Sequence, residues 1–109
     1  MTGERRRFAR IRHRAGCEFE LDGRRHTGIV GNVSPRGLFV QSTVRPAEGT
    51  ELDLALRPTS GAPLSLRVTV VRHASPHRSA AAVSAVGFAA EITWAPEAYY
   101  ALLLTLGSA

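Results

Sequence analysis

Apolar and polar residues alternate with a period of two along most of this chain, which is typical of half-buried β-strands. The segment from Cys17 to Leu21 alternates in this way and is followed by Asp22-Gly23, a dipeptide that favours a tight hairpin turn. Further strands are predicted at His26 to Val33, Gly37 to Gln41, Leu52 to Leu56, Leu64 to Val70 and Val83 to Ile92. Because no helix separates these strands, the sequence predicts an all-β fold, a six-stranded antiparallel β-barrel.

The end of the chain changes to a helical period. Pro96 and Glu97 suit the first turn of an α-helix, and Gly107 suits its end. Between them, the spacing i, i+3, i+4, i+7 is followed by Tyr99, Leu102, Leu103 and Leu106. A helix of this length is marginal alone, so its apolar side is expected to pack on the barrel or to form a homodimer with a second copy.

Positive charge is concentrated at the start of the chain. Residues 1–14 contain six arginines and Glu4, a net charge of +5 that equals the formal net charge of the whole protein. Residues 15–109 contain eight arginines and eight acidic residues, which cancel. The sequence therefore predicts a basic N-terminal arm at 1–14, a barrel at 15–92 and a C-terminal helix and tail at 93–109. A positive segment on a neutral body indicates either an arm that binds an anion, kept flexible by repulsion between its arginines, or a solvated tail.

Composition excludes several other classes of protein. The apolar fraction of 44% and the single Cys17 predict a folded domain without a disulfide framework or a zinc-binding cysteine pair. No signal peptide and no apolar run of membrane-spanning length is present, which predicts a cytoplasmic protein without membrane insertion. His73 and His77 have metal-ligand spacing, but Pro76 lies between them and argues against a helix. No pattern of a nucleophile with a neighbouring base is found, so the protein is not expected to be an enzyme. No metal site and no cofactor are expected either.

Two segments carry groups that suit an anionic, base-containing ligand. Arg6 and Arg10 are four residues apart, which places them on one side of either a helix or a strand. Asn32 and Ser34 are two apart before a turn, so their amide and hydroxyl are predicted to share one face. Gly37 is expected to leave room for close approach of a ligand or of the arm.

These two segments together resemble the signature of PilZ domains, in which an RxxxR motif is followed by [D/N]xSxxG. The resemblance extends to Gly37-Leu38-Phe39-Val40 after the second motif and to Val86-Gly87-Phe88 in the last strand, and it thus covers essentially the whole chain. It implies a six-stranded barrel with a C-terminal helix, in a bacterial protein. The implied function is to bind the second messenger cyclic di-GMP, to order the arginine-rich arm and to signal to a protein partner.

The resemblance also implies the ligand-binding residues, which are Arg5, Arg6, Arg10, Asn32, Ser34 and Gly37. The arginines would contact phosphates and the O6/N7 edge of guanine, whereas Asn32 and Ser34 would hold a guanine and the neighbouring backbone. Arg5 stands where members that bind an intercalated dimer of the ligand have an arginine, so two ligands per site are expected. Whether Arg7 or Arg36 contacts ligand is left open.

Two other functions remain open at this stage. A small barrel could bind nucleic acid through its basic arm, although the neutral barrel and its few aromatic residues make nucleic acid an unfavoured partner. A PilZ-type adaptor could also act by protein contacts alone, without a ligand. For the aromatic residues near the C-terminus, Trp94, Tyr99 and Tyr100, packing between helix and barrel is predicted. The downstream partner is not identified by the sequence.

Overall fold

The chain forms a closed barrel of antiparallel strands in this computed structural model, which describes residues 11–59, 61–74 and 86–107. The elements of the described residues are β1 Ile11–Leu21, β2 Arg24–Val33, β3 Gly37–Gln41, β4 Glu51–Arg57, β5 Leu64–Ala74, β6 Gly87–Trp94 and the helix α1 Glu97–Gly107. Around the barrel the strands follow the order β1-β2-β3-β6-β5-β4. The predicted six-stranded antiparallel barrel with a C-terminal helix is confirmed.

Several strands extend beyond their predicted ends. β1 begins at Ile11, so the predicted boundary between arm and barrel at residue 14 lies inside a strand. β6 ends at Trp94, past the predicted end of the barrel at residue 92. The extension of β1 follows from pairing, because Ile11 lies opposite Val33 at the end of β2. The predicted arm up to residue 10, and residues 83–85 of the predicted sixth strand, lie outside the described residues.

The core fills the barrel with the inward half of each alternating strand. Phe19 and Phe88 meet edge to face with their ring centroids 5.6 Å apart. Around them, the side chains with no more than 2% exposure include Val30, Val33, Val40, Leu54, Leu56, Leu66, Val68 and Val70. Burial of a side chain of this size stabilises the fold by about 1.5–3 kcal/mol. The period of two therefore separates a dry interior from an outer face that is free to carry polar groups.

The helix α1 packs its apolar side against the barrel, as its spacing predicts. Tyr99 and Leu103 are buried in the same core as the strands. An adjacent side of α1 exposes Tyr100 by 40% and Leu104 by 74%, and Trp94 is 58% exposed. The prediction that all three aromatic residues pack between helix and barrel is thus wrong for Trp94 and Tyr100. The homodimer through α1 stays a prediction.

We expect Gly87→Ala to destabilise the barrel, because a methyl group at this position would overlap the backbone carbonyl oxygen of Val40 in β3. Overpacking of this kind costs about 1–3 kcal/mol, and here the obstacle is backbone that cannot rotate away. The free energy of unfolding in urea measures the effect. Gly16→Ala is the matched control, since nothing lies within 4 Å of the added methyl group. The free energy of unfolding of this variant should be nearly unchanged. Equal stability of the two variants would contradict the prediction.

Stability is also expected to fall at high pH through Cys17. Burial raises the pKa of the thiol to about 11 from an ordinary value of 9.0, with a smaller contribution from Glu18 and an opposing hydrogen bond to Gly28. The thiol therefore ionises in the unfolded chain before it does so in the folded chain. Its contribution is complete below about pH 9 and is lost as the pH rises to 11, a decrease of roughly 2–3 kcal/mol.

The measurement compares urea unfolding of the wild type and Cys17→Ala at pH 8 and pH 11. We expect the wild type to lose more free energy of unfolding than the variant over this interval, because only the wild type has the thiol. The phenol of Tyr99 is present in both proteins and cancels in the comparison. An equal loss in both would show that Cys17 does not titrate in this way.

Candidate ligand-binding site

The turn between β2 and β3 is held by the side chain of Ser34. Its Oγ accepts hydrogen bonds from the backbone N–H groups of Arg36 at 3.3 Å and Gly37 at 3.1 Å. It also donates to the Gly37 carbonyl oxygen at 3.1 Å, and the Ser34 N–H donates to the same oxygen at 2.9 Å. One donated and two accepted bonds are the full capacity of a hydroxyl. Ser34 therefore fixes the shape of the turn.

Asn32 and Ser34 differ in burial and in bonding. Asn32 is half-buried on the outer side of β2, opposite Phe39 of β3, whereas Ser34 is only 7% exposed. Ser34 follows the last residue of β2, and its Oγ bonds to the N–H groups that close the turn. Both residues remain predicted ligand residues, with Asn32 presenting its side chain and Ser34 shaping the backbone.

The helix α1 and the strand β6 each donate a hydrogen bond to the turn. The phenol of Tyr99 in α1 donates to the Ser34 carbonyl oxygen at 2.8 Å, and the Ile92 N–H of β6 donates to the Arg36 carbonyl oxygen at 2.7 Å. Burial, with a smaller effect of Tyr100, raises the pKa of Tyr99 far above its ordinary range, so the phenol stays a neutral donor. The turn thus connects the second motif to the helix and to the last strand.

Gly37 is required by the barrel itself. A Cβ at this position would lie 2.7 Å from the carbonyl oxygen of Ala90 in β6, closer than real Cβ contacts allow. The close approach of β6 is therefore a reason for glycine here that does not depend on a ligand or on the arm. The role of Gly37 in ligand binding stays a prediction, and its lack of a side chain also leaves the outer surface above it bare.

The first motif joins the barrel beside the second. Ile11 and Arg12 of β1 pair with Val33 and Asn32 of β2, next to Ser34. Arg10 directly precedes Ile11 in the chain, so the RxxxR motif ends one residue before the strand that pairs with the end of β2. Its members lie outside the described residues, as do the neighbouring arginines: Arg5, Arg6, Arg7 and Arg10. Their contacts with a ligand stay predictions.

Residues that face outward form a row from the second motif in β2 across β3 and β6 to β5. Asn32 of β2 lies opposite Phe39 of β3, which lies opposite Ala89 of β6, which lies opposite Arg72 of β5. Directly opposed residues of antiparallel strands project from the same face. Three strand spacings span about 14 Å. In the neighbouring outward row, Gly37 lies opposite Glu91.

An open depression of about 410 Å³ lies at the end of this row. It is lined by Ser34, Arg36, Gly37, Leu38, Val71, Arg72, Ala89, Ala90 and Glu91. Small side chains form its floor, and two arginines and one carboxylate stand around it. Sequence reasoning missed Arg72 and Glu91, because their proximity depends on the pairing of β3, β6 and β5. Alternation could mark both as outward residues but could not place them beside Asn32.

A larger depression of about 620 Å³ lies on the outer face of β1, β4 and β5. Its charges compensate one another. Glu18 pairs with Arg57 at 3.2 Å and with Arg25 at 3.5 Å, and Arg67 pairs with Asp53 at 3.1 Å. These exposed pairs contribute little to stability, but they leave this face without a net positive charge for a phosphate. Within the described residues, no group of three metal-ligating side chains is found.

The described features are those of a small antiparallel β-barrel with an open depression on its outer face, next to a serine-stabilised turn. Residues 4–95 match the PilZ domain family, and the chain belongs to that family. PilZ domains are binding and adaptor modules.

The fold is similar to the solved structure of the Bacillus subtilis inhibitor of motility (MotI/DgrA), with a TM-score of 0.72 and 15% sequence identity. The match covers 92% of this chain and 48% of that chain, so this chain spans about half the length of that protein. No curated protein matches the sequence. Among the described residues, no helix has both the length and the apolar character needed to cross a membrane.

Tyr99→Phe is expected to destabilise the protein by about 1–3 kcal/mol, because it removes the phenolic donor from a carbonyl oxygen inside the protein. Urea unfolding measures this difference. Tyr100→Phe is the matched control, since Tyr100 is 40% exposed. Water can take the place of its hydroxyl group, so the loss of that group should cost little stability. If the two variants lose the same free energy of unfolding, the Tyr99–Ser34 hydrogen bond does not stabilise the turn.

Proposed function

We propose that this PilZ domain is a receptor for cyclic di-GMP and binds it on the outer face around the Ser34–Gly37 turn. The observation that carries the proposal is the register of β1 and β2. It joins the arginine motif to the barrel through Ile11 and Arg12, which pair with Val33 and Asn32. The residues that directly follow the arginine motif therefore lie beside the start of the second motif, although the two motifs are about twenty residues apart in sequence.

The chemistry of this place suits a cyclic dinucleotide. Arginine makes bidentate contacts with phosphate and with the O6/N7 edge of guanine, so Arg6 and Arg10 supply both kinds of contact. The Asn32 amide, on the outer face, offers a donor and an acceptor to a base. Arg5 adds a further positive charge and favours an intercalated ligand dimer. The barrel beyond the arm is neutral in sum, so attraction of the anion comes from the arm.

Ligand binding is coupled to a protein partner in this proposal. The ligand phosphates neutralise the arginines of residues 1–14 and hold this segment against the barrel, which creates a surface that the free protein lacks. Membership of the PilZ family, whose domains are binding and adaptor modules, supports an adaptor that acts through protein contacts. The activity is binding, and no catalytic step is required.

Calorimetric titration with cyclic di-GMP tests the receptor function. We expect Arg6→Ala, Arg10→Ala and Asn32→Ala each to weaken binding by roughly 10- to 100-fold, since a hydrogen bond to a charged group contributes about 1.5–3 kcal/mol. Arg24→Ala is the matched control for charge. Arg24 starts β2 at the opposite end of that strand from Ser34, and its loss should leave the affinity within about 2-fold.

Two further results of the same titration bear on the proposal. A stoichiometry of two ligands per chain supports the intercalated dimer, whereas one ligand per chain overturns that detail alone. A linear oligonucleotide should fail to displace the ligand. Strong binding of the oligonucleotide that falls steeply with salt would instead indicate a nucleic-acid-binding protein. Unchanged affinity in all three site variants, or no binding by the wild type, would overturn the receptor function.

A further inference from the structure

The depression beyond the turn carries two charged side chains that have no ion-pair partner among the described residues. Arg72 of β5 and Glu91 of β6 are both exposed, and they line the same depression. Their positions are diagonal, because Arg72 lies opposite Ala89 and Glu91 follows two residues later on the same face. Such diagonal positions are about 7–8 Å apart, within reach of long side chains. The four ion pairs of the described surface join other residues, so this pair is available to a ligand.

We propose that this depression holds a guanine base of the ligand, with Glu91 as the residue that selects guanine; the proposal rests on the proposed function. The Glu91 carboxylate accepts from the N1–H and N2–H₂ donors of the base, and Arg72 donates to the O6/N7 acceptors. The flat face of the base lies over Ala89 and beside Val71, which is 45% exposed at a register shift in β5. A bulge of this kind re-aims a side chain outward.

The carboxylate decides between a base and a phosphate as the group bound here. A negative side chain repels a phosphate, so Glu91 is unsuitable for a site that holds only phosphate. Guanine presents two adjacent N–H donors on its Watson–Crick edge, which match the two oxygens of a carboxylate. Adenine presents the N1 acceptor at the corresponding position and would face a second acceptor. Glu91 therefore favours guanine over adenine through both hydrogen bonding and repulsion.

The depression is continuous with the second motif. The outward row from Asn32 through Phe39 and Ala89 to Arg72 crosses about 14 Å of sheet without an intervening element. A volume of about 410 Å³ is ample for one purine. Because cyclic di-GMP contains two guanines, one molecule or an intercalated pair supplies a base for the depression as well as for Asn32.

Glu91→Gln provides a test in which two explanations predict opposite signs. If Glu91 only contributes charge, its neutralisation strengthens the binding of an anionic ligand. If it reads guanine, the variant loses one acceptor and places an amide donor against the base, which weakens cyclic di-GMP by roughly 10- to 100-fold. Affinity for cyclic di-AMP should stay equal or rise. Glu20→Gln, an exposed acid next to the β1–β2 hairpin, is the matched control and should leave both affinities within about 2-fold.

Arg72→Gln tests the opposite edge of the base and should weaken cyclic di-GMP by a similar factor, against Arg24→Gln as its control for charge. The four substituted side chains are all exposed: Glu20, Arg24, Arg72 and Glu91. The midpoint of thermal unfolding of each variant should therefore match that of the wild type. Binding that is equal or tighter in Glu91→Gln, while Arg6→Ala and Asn32→Ala still weaken it, overturns base reading by Glu91 and leaves the receptor function intact. Absence of binding by the wild type overturns both.

Discussion

The bonding of one hydroxyl group organises the candidate site. By taking the Gly37 N–H, the Ser34 Oγ leaves the Ser34 carbonyl oxygen for the phenol of Tyr99. By closing the turn it also positions the Arg36 carbonyl oxygen for the Ile92 N–H. A buried polar group without a partner costs about 1–3 kcal/mol, so each of these bonds holds the next in place. The serine of the second motif thus supports the fold and the binding surface together.

Charge is distributed so that the binding surface differs from the rest of the barrel. On the faces of β1, β4 and β5, arginines and acidic residues neutralise one another in pairs. Near the turn, Arg72 and Glu91 have no ion-pair partner among the described residues, and residues 1–14 carry a charge equal to the net charge of the protein. In the proposed function, the attraction of an anion therefore comes from the arginines of residues 1–14 rather than from the barrel.

The strands were predictable from sequence because alternation reports local burial. The range Gly37 to Gln41 agrees with the structure, and the helix begins at Glu97 as expected. The start of β1 was not predictable, since Ile11 becomes a strand residue through its pairing with distant Val33. For the same reason the sequence found both motifs but not Glu91, which reaches Gly37 only through the pairing of β3 with β6. Turn geometry, which no spacing reports, decides the direction of the Ser34 hydroxyl.

The Tyr99 hydrogen bond couples the position of α1 to the shape of the Ser34–Gly37 turn. Coupling between two sites is reciprocal in free energy, so a molecule that grips the exposed Tyr100 and Leu104 side of the helix would be felt at Ser34. A change in the position of the helix therefore shifts the conformation of the turn, and a change in the turn shifts the helix in return.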